Sequence, residues 1–411
     1  MEKSIEDQYL SDYVRTEKTD LQILNHVKIN EQIPKYITLN NGIVLPRKIP
    51  NKNEKCPYQG LGGVIKNNGE FLRESVIYDL KKENVKEQPI AFGGSYPIDN
   101  VEIDNRKVIY MGLAHQQWGH FLVDIVQRCW FPYIKYLKQH KHNTDYYYVF
   151  SGFGDGVETF GINYLDFFNL LGLNTEHIII VNKPTKFKKV IVPDVVIYPG
   201  ESINKVFVEL IDTVIKNSKK KFINKKYIEK IYFSRTHLKD KKEIGEKLIE
   251  GVAVKAGFSV LYPEELTLTD QIFYWQTAAQ VACVNGTIPH NCIFSHNSLE
   301  LLIFNKTKIM VGYQFTMDKI QGLHPIYISA YLEPFNRYPI DVSRGPFWLD
   351  VTSEVKKIFK DKFNMDLENK RNALIWIKYL KICMIAEIKY NLRGSKAKLK
   401  LIMSRLASLH W

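Results

Sequence analysis

The chain has 411 residues, five cysteines, and 57 Lys and Arg against 44 Asp and Glu, which gives a net charge of +13. The length favours two domains over one compact core, and an apolar fraction of 45% excludes a wholly disordered chain. The number of cysteines is odd and no CxxC pair occurs, which argues against a disulfide framework or a zinc finger, so we expect a reducing compartment. Neither a secretory signal nor a transmembrane helix is predicted.

The N-terminal half begins with residues 1–55, which we interpret as an irregular lead-in with one or two short strands. A helix is then predicted from Phe121 to Leu137, with a break at Pro132, because apolar residues recur there at helical spacing. A second helix is predicted at 164–171, ended by a glycine. Short apolar runs predict strands at 108–112, 146–150, 177–181 and 190–193.

The C-terminal half repeats this alternation after a polar stretch at 216–226, which is either an interdomain crossing or a solvated helix end. Helices are predicted at 242–257 and at 269–279, the second with Thr269 as its N-cap, and a further helix after the turn at 285–287. Strands are predicted at 230–235, 259–262, 280–284 and 299–304. Two such series imply an α/β fold with two parallel-sheet domains side by side.

Most of the positive charge lies in the tail, residues 370–411, which holds ten Lys and Arg against the single acid Glu387 and so carries +9. On a helical wheel six basic residues form one stripe, namely Arg371, Lys378, Lys389, Arg393, Lys396 and Lys400. Four residues lie broadly opposite, namely Trp376, Leu380, Cys383 and Met384. Such a helix binds an anionic membrane or packs on the body, and we expect a packed first part and a free last part.

The first residues that could carry chemistry are His115, His120 and Asp124, which follow a predicted strand. His120 and Asp124 are four residues apart, so they share one face of a helix. A carboxylate beside an imidazole orients it and raises its basicity, which suits a general base. Two alternatives remain: Asp124 pairs with Arg128 while His120 only packs at the helix start, or two His and one Asp bind a metal ion.

Ser234 and Arg235 end a strand of the second series, at the edge where parallel sheets bind their ligands. An arginine there can neutralise a diphosphate through bidentate hydrogen bonds. For the lysines that follow, Lys239, Lys241 and Lys242, we favour a solvated basic loop.

Asn285, Gly286 and Thr287 form the turn between a buried strand and the next predicted helix. Free N–H groups at a helix start attract anions, and Gly286 lets a phosphate approach the backbone closely. The neighbouring Cys283 and Cys292 are interpreted as small core residues rather than nucleophiles.

In their order, these groups resemble glycosyltransferase family 61 over roughly residues 108–305. The resemblance rests on the segment from His115 to Asp124, Ser234-Arg235, the helix segment 263–271 and the turn 285–291. Two features depart from the family pattern. The common His-Gly-Ala-Gly is Asn285-Gly286-Thr287-Ile288 here, and lysines replace a second arginine after Ser-Arg.

The resemblance implies a GT-B-like fold, in which two Rossmann-like domains face each other across a cleft and a basic helical tail follows. The expected units are an acceptor-side domain at 1–222, a nucleotide-sugar domain at 223–345, and C-terminal helices with the tail at 346–411. It also implies an inverting transfer, without an essential metal or other cofactor, from a nucleotide sugar such as a UDP-sugar to a hydroxyl of a saccharide acceptor.

The resemblance also suggests roles for single residues. His120 oriented by Asp124 is the expected base, Asp124 itself is the close competitor, and His115 is a third catalytic candidate. His290 and Asn291 are second-rank candidates near the diphosphate, and Glu300 either binds a ribose hydroxyl or only pairs structurally. The full set of expected donor-binding residues is Ser234, Arg235, Asn285, Gly286, Thr287, His290, Asn291 and Glu300.

The segment from His115 to Asp124 is most similar to members of the family that build bacterial capsules and other surface polysaccharides. This similarity implies a cytoplasmic enzyme that lies peripherally on the inner face of the membrane and uses a lipid-linked acceptor. One alternative is a basic membrane- or nucleic-acid-binding protein, and another is a metal-dependent hydrolase that uses His115, His120 and Asp124. Confinement of the charge to the tail argues against nucleic acid, which would require basic and aromatic residues interleaved across the body.

Overall fold

The protein, described here from a computed structural model, is a mixed α/β structure with two main sheets. The structure describes residues 13–14, 27–49, 56–79, 88–139, 145–152, 160–238, 242–310, 312–340, 342–368 and 373–391. Part of the predicted lead-in, Lys239, Lys241 and the tail after residue 391 lie outside these ranges.

The larger main sheet has eight strands within the described ranges and is mixed, not parallel as predicted. Its parallel neighbours, in spatial order, are Ile178–Val181, Tyr146–Ser151, Glu102–Leu113 and Thr185–Pro193. Antiparallel strands extend it beyond the last of these, in the order Ile43–Lys48, Leu61–Ile65 and Phe71–Leu72, and Tyr36–Asn40 also pairs with Thr185–Pro193.

The antiparallel part confirms that residues 1–55 contain short strands, but it corrects their interpretation as an irregular lead-in. Residues 36–48 form two successive strands of the main sheet, separated by a bend at Asn41, which adopts a left-handed conformation with φ of 57°. Their side chains reach the core, since Val44 and Leu45 are fully buried. Both strands pair antiparallel with Thr185–Pro193 in one continuous register, so they add antiparallel strands to the parallel set.

The smaller main sheet is parallel throughout the described residues and agrees with the prediction. Its strands, in spatial order, are Ser259–Leu261, Lys230–Phe233, Gln280–Val284, Glu300–Asn305 and Ile326–Ser329. The carboxyl ends of three neighbouring strands therefore lie side by side at one edge. Arg235, Asn285 and Lys306 lie one or two residues after those ends, so this edge brings together residues that are far apart in sequence.

Three small sheets complete the strands of the described part. They join Lys28–Asn30 with Ser202–Asn204 and Ile197–Tyr198, Glu243–Ile244 with Phe347–Leu349 and Tyr331–Leu332, and Ile77–Tyr78 with Ile90–Phe92. Single-turn helices lie at Arg73–Ser75, Thr175–His177 and Pro263–Glu265.

The longer helices of the described part are Ile162–Leu171, Lys205–Lys219, Glu246–Lys255, Leu268–Thr277, Gly312–Ile320, Ser353–Phe363 and Ala373–Asn391. The helix predicted at 242–257 begins only at Glu246, because Glu243–Ile244 is a strand and Gly245 takes a left-handed turn with φ of 91°. The N-cap of the next helix is Thr267 rather than Thr269, since the Thr267 side chain accepts from the Asp270 N–H.

The helix Lys205–Lys219 was not predicted. It buries an apolar face that includes Phe207, Leu210 and Val214, and Asn204 caps its first turn by accepting from the Val206 N–H. The polar stretch 216–226 thus begins as the end of this helix, which was one of the two interpretations.

One hydrophobic core spans the two main sheets. It includes Phe121, Phe168 and Leu210 from the first half of the chain and Phe294 and Tyr327 from the second. Because these side chains belong to one cluster, the two halves pack directly against each other on either side of the boundary expected at 222–223.

The helix Ala373–Asn391 packs on the body through one face. Tyr379 and Cys383 are buried there, and the Trp376 ring lies 5.1 Å from that of Trp348. The opposite face is exposed and includes Met384, which corrects the prediction that Met384 faces away from the basic stripe.

Candidate active site

His120 and Asp124 form a hydrogen-bonded pair just after the longest strand. The segment that carries them is a series of short helical turns, Trp118–His120, Phe121–Ile125, Val126–Arg128, Trp130–Pro132 and Tyr133–Leu137. Nδ1 of His120 lies 2.7 Å from Oδ2 of Asp124. Since a carboxylate only accepts, Nδ1 carries the proton, and Nε2 has no hydrogen-bond partner among the described residues.

A glutamine from the antiparallel part of the fold completes this pair. Gln59 is buried and donates from Nε2 to Asp124 Oδ2 at 3.0 Å. Its Oε1 is buried without a partner in the described part of the chain. The His115 ring centre lies 4.8 Å from that of His120, and His115 Nδ1 accepts from the Gln117 N–H.

The pKa of His120 is raised above its ordinary value. Burial alone would lower this pKa, but the hydrogen bond and the charge of Asp124 outweigh burial, with a smaller contribution from Asp79. Nε2 is therefore a stronger base than that of a free imidazole, which suits proton abstraction.

The alternative pairing of Asp124 with Arg128 is wrong. Arg128 is fully buried, and its guanidinium donates to the backbone carbonyls of Pro193, Glu74 and Val76. Arg128 therefore holds backbone segments together, which leaves Asp124 to His120 and Gln59.

A second charged centre lies at the carboxyl edge of the smaller sheet. Arg235 Nη1 lies 2.9 Å and Lys306 Nζ 2.6 Å from the same oxygen, Oε1 of Glu243. Gly286 faces both cations: a Cβ at this position would lie 3.2 Å from Arg235 Nη1 and 3.5 Å from Lys306 Nζ. The charge of Lys242 also acts on Lys306, although Lys242 Nζ donates to the Ser343 carbonyl, and Glu246 accepts from the Arg235 backbone N–H at 2.8 Å.

Burial and charge act against each other in this centre. Burial raises the pKa of Glu243, but the charges of Lys306 and Arg235 outweigh it, so that the pKa lies below its ordinary value. Burial, helped by the charge of Arg235, lowers the pKa of Lys306 in spite of Glu243. An added anion would favour the charged forms of both cations, so the centre is suited to bind one.

Direct contacts join the two centres. Trp118 Nε1 donates to Asn291 Oδ1 at 2.7 Å across 173 positions of sequence. Gly119 packs on the turn itself, since a Cβ there would lie 3.1 Å from His290 Cδ2 and 3.3 Å from Thr287 Oγ1. The segment 115–124 and the turn 285–291 are therefore adjacent walls of one site.

Three predicted donor-binding residues have their polar groups occupied by the protein. Ser234 is fully buried and donates to Glu250 at 2.6 Å. Asn285 donates to Asn305 at 2.8 Å, and Asn291 accepts the Trp118 bond described above. These side chains stabilise the loops of the site from behind, while Arg235, Gly286, Thr287 and His290 lie at its surface.

Glu300 is not near this site. It begins its strand, so it lies at the edge opposite Arg235, about 15 Å away along a strand of this length. Glu300 pairs with Lys362 at 2.9 Å and accepts from Gln280 at 3.3 Å. The predicted contact of Glu300 with a ribose is therefore wrong. The structure instead contains the alternative, in which Glu300 only pairs structurally.

The helix predicted after Thr287 is a seven-residue 3₁₀ helix, Ile288–Phe294. Its dipole is small, so attraction for an anion at this edge comes from Arg235 and Lys306 more than from the helix start.

Sequence reasoning missed Gln59, Glu243 and Lys306. Lys306 carries a usable signal, since it follows the carboxyl end of a parallel strand just as Arg235 does. Gln59 and Glu243 carry none, because they reach the site through contacts of the folded chain.

Within the described ranges, no group of three or more His, Cys, Asp and Glu side chains is placed to hold a metal ion. All five cysteines are free thiols, and Cys283 and Cys292 are buried in the core, as predicted. No helix in the described part of the chain combines the length and the apolarity needed to cross a bilayer.

The comparison with known families covers both centres of the site. None of the curated proteins compared with the chain matches it. The family model of Glycosyltransferase 61 matches residues 118–302, which contain His120, Asp124, Arg235 and the turn at Gly286. Residues 118–302 therefore belong to glycosyltransferase family 61, and this match supports a glycosyltransferase activity.

Proposed function

We propose that the chain is an inverting, metal-independent glycosyltransferase that moves a sugar from a nucleotide sugar, such as a UDP-sugar, to a hydroxyl of a saccharide acceptor. The observation that carries this proposal is the contact between the segment of the His120–Asp124 pair and the turn beside Arg235 and Lys306. One wall offers a base and the other a cationic pocket. A single displacement from a nucleotide sugar requires both.

In the proposed step, His120 Nε2 takes the proton of the acceptor hydroxyl while its oxygen attacks the anomeric carbon. The bond from that carbon to the nucleoside diphosphate breaks on the opposite face, so the configuration inverts. Asp124 accepts from Nδ1 and stabilises the imidazolium that forms. We assign the base to His120 rather than Asp124 because the Asp124 side chain is only 3% exposed, against 27% for His120.

The leaving diphosphate is the second part of the proposal. Arg235 and Lys306 stabilise its developing charge, and Gly286 lets it approach the backbone without a Cβ in the way. Two side-chain cations in a partly buried pocket supply the charge that a metal ion supplies in other enzymes, so the proposal requires no metal.

A GT-B-like arrangement, with domains at 1–222, 223–345 and 346–411, fits the two main sheets and remains part of the proposal. The biological setting that we propose is synthesis of a capsular or other surface polysaccharide at the cytoplasmic face, on a lipid-linked acceptor. This setting rests on the similarity of the segment from His115 to Asp124 to that group of the family.

The helix Ala373–Asn391 supports peripheral attachment to an anionic leaflet. Its outer stripe combines Leu374, Ile377 and Met384, each more than half exposed, with Lys378 and Lys381. We expect the protein to float with phosphatidylglycerol vesicles and not with phosphatidylcholine vesicles, and the double variant Leu374→Ser/Ile377→Ser to weaken flotation. Equal binding by wild type and variant would contradict a role for this stripe.

The experiment that tests the enzymatic proposal has two steps. Thermal-shift measurements with UDP, GDP, CDP, ADP and dTDP identify the nucleotide, since only a bound ligand raises the melting temperature. The matching nucleotide sugars are then incubated with saccharide acceptors in EDTA, and NMR determines the anomeric configuration of the product. Retention would contradict inversion, and loss of turnover in EDTA would favour the metal-dependent hydrolase.

A further inference from the structure

His290 lies where the two walls of the site meet, and a buried network holds its ring. Its Nδ1 lies 2.7 Å from Gln314 Oε1. Gln314 is fully buried and donates from Nε2 to the Pro289 carbonyl oxygen at 3.1 Å and to Asp318 Oδ1 at 2.7 Å. Asp318 also accepts from Tyr327 Oη at 2.5 Å. The network therefore fixes the orientation of the Gln314 amide.

This orientation allows one tautomer of His290. A backbone carbonyl only accepts, so the NH₂ group of Gln314 faces Pro289 whether or not Asp318 is charged. The amide oxygen then faces His290, whose Nδ1 must carry the proton. Nε2 is consequently an acceptor, and it has no hydrogen-bond partner in the part of the chain that the structure describes. Cδ2, which is bonded to Nε2, faces Gly119, so this edge of the ring lies against the wall that carries His120.

His290 and His120 share this tautomer but differ as bases. Burial lowers the pKa of His290 to about 4, and the hydrogen bond to the neutral amide of Gln314 compensates only in part. The carboxylate of Asp124 instead raises the pKa of His120. At neutral pH, His290 is a neutral ring, too weak a base to take a proton but still able to accept a hydrogen bond.

An acceptor at this place fits a hydroxyl better than a phosphate. Phosphate oxygens are themselves acceptors, so a lone pair on Nε2 repels them. Sugar hydroxyls donate. His290 follows the turn that faces Arg235 and Lys306, which puts it on the side of the donor.

We infer that His290 Nε2 accepts a hydrogen bond from a hydroxyl of the transferred sugar and that Gln314 is the residue that positions it. The inference rests on the proposed function. It also replaces the predicted role of His290 beside the diphosphate, and it makes His290 a residue that selects which sugar is accepted.

Two substitutions of one residue separate the two nitrogens of the ring. His290→Asn keeps a donor near Nδ1 for Gln314 and removes Nε2, whereas His290→Gln carries an amide near the position of Nε2. Binding of UDP is compared with binding of UDP-glucose, UDP-N-acetylglucosamine and UDP-xylose by calorimetry. We expect His290→Asn to bind UDP like wild type and the preferred UDP-sugar about 3- to 10-fold more weakly, with partial recovery in His290→Gln.

Two results would overturn the inference. In the first, His290→Asn weakens the binding of UDP by the same factor as the binding of the UDP-sugar, which would place His290 at the diphosphate. In the second, His290→Asn raises only the KM for the saccharide acceptor, which would place His290 at the acceptor. If neither UDP nor any UDP-sugar binds the wild type, the proposed function fails for UDP donors. An NMR measurement of the His290 tautomer still decides whether Nε2 is an acceptor.

The tautomer is measured by NMR of the full chain labelled with ¹⁵N-histidine, with His290 identified by its loss in His290→Asn. We expect the Nδ1–H form, unchanged between about pH 7 and pH 5.5. Gln314→Met should give a mixture of tautomers, while Gln321→Met, which loses bonds to the Ile293 carbonyl and to Asp212 but none to His290, should give no change. An Nε2–H form in the wild type, or no effect of Gln314→Met, would contradict the positioning role.

Discussion

The two charged centres of the site are built from similar groups but carry opposite balances of charge. At the first, one histidine faces the carboxylates of Asp124 and Asp79, and the pKa of His120 rises. At the second, two cations share the carboxylate of Glu243, and its pKa falls. The first centre therefore favours gaining a proton, and the second favours gaining an anion.

The difference follows from how each centre is assembled. The first depends on residues four positions apart plus one glutamine, so local spacing sets it. The second depends on the ends of neighbouring parallel strands, so sheet order sets it. The turn at 285–291 touches both, and it keeps a base and an anion pocket adjacent.

The largest expected effect comes from removing the base. His120→Ala should lower kcat by roughly 100- to 10,000-fold, the usual range for a general base, while nucleotide binding stays near that of wild type. Turnover and calorimetric titration with the nucleoside diphosphate measure the two effects. His177→Ala, which removes a ring stacked on Tyr147 at the far edge of the larger sheet, is the matched control. Undiminished turnover in His120→Ala would remove His120 from the mechanism.

The next effect tests the opposite centre. Arg235→Met should weaken binding of the nucleoside diphosphate by roughly 10- to 100-fold, because charge-assisted hydrogen bonds contribute about 1.5–3 kcal/mol each. The acidic limb of the pH profile should stay in place, since His120 is untouched. Arg106→Met serves as the control, because Arg106 pairs with Asp104 on the larger sheet. A variant that binds normally but turns over slowly would move Arg235 from the anion pocket to the chemistry.

Lys306→Met should have a smaller effect on the same binding, about tenfold, because Glu243 already neutralises part of the lysine charge. The loss should be weaker at high salt than at low salt if Lys306 acts mainly by its charge. Lys308→Met, two positions further at an exposed site, is the control. Tighter binding in Lys306→Met would mean that the lysine serves Glu243 and not a ligand.

The sequence was sufficient for what depends on local pattern. Four strands of the five-stranded parallel sheet follow from short apolar runs, while the fifth, Ile326–Ser329, was not predicted. The pairing of His120 with Asp124 follows from a four-residue spacing. Arg235 follows from the rule that ligands meet the carboxyl ends of parallel strands. Glu300 failed because it begins the strand predicted at 299–304, so it lies at the amino end, whereas this rule places ligands at the carboxyl end.

What the sequence could not predict depends on contacts between distant segments. Gln59 reaches Asp124 because strands of the antiparallel part extend the larger sheet. Gln314 reaches His290 from a separate helix, Gly312–Ile320. Neither glutamine stands in a motif, since an amide at such a position becomes informative only when its partner is known.

The smallest expected effect concerns Gln59 and acts on the first centre alone. Transfer should fall as the pH drops through the pKa of His120, which lies above the ordinary 6.5 of histidine, because only the neutral ring can take a proton. Gln59→Leu removes a donor from Asp124, so the carboxylate attracts the imidazolium more strongly and the acidic limb should move to higher pH. At neutral pH the rate should fall by less than about tenfold. The pH dependence of kcat measures the shift, with Gln139→Leu, an exposed position, as the control. An acidic limb that moves to lower pH would mean that Gln59 strengthens His120 as a base. The charge of Asp124 would then not explain the difference between this centre and the cationic one.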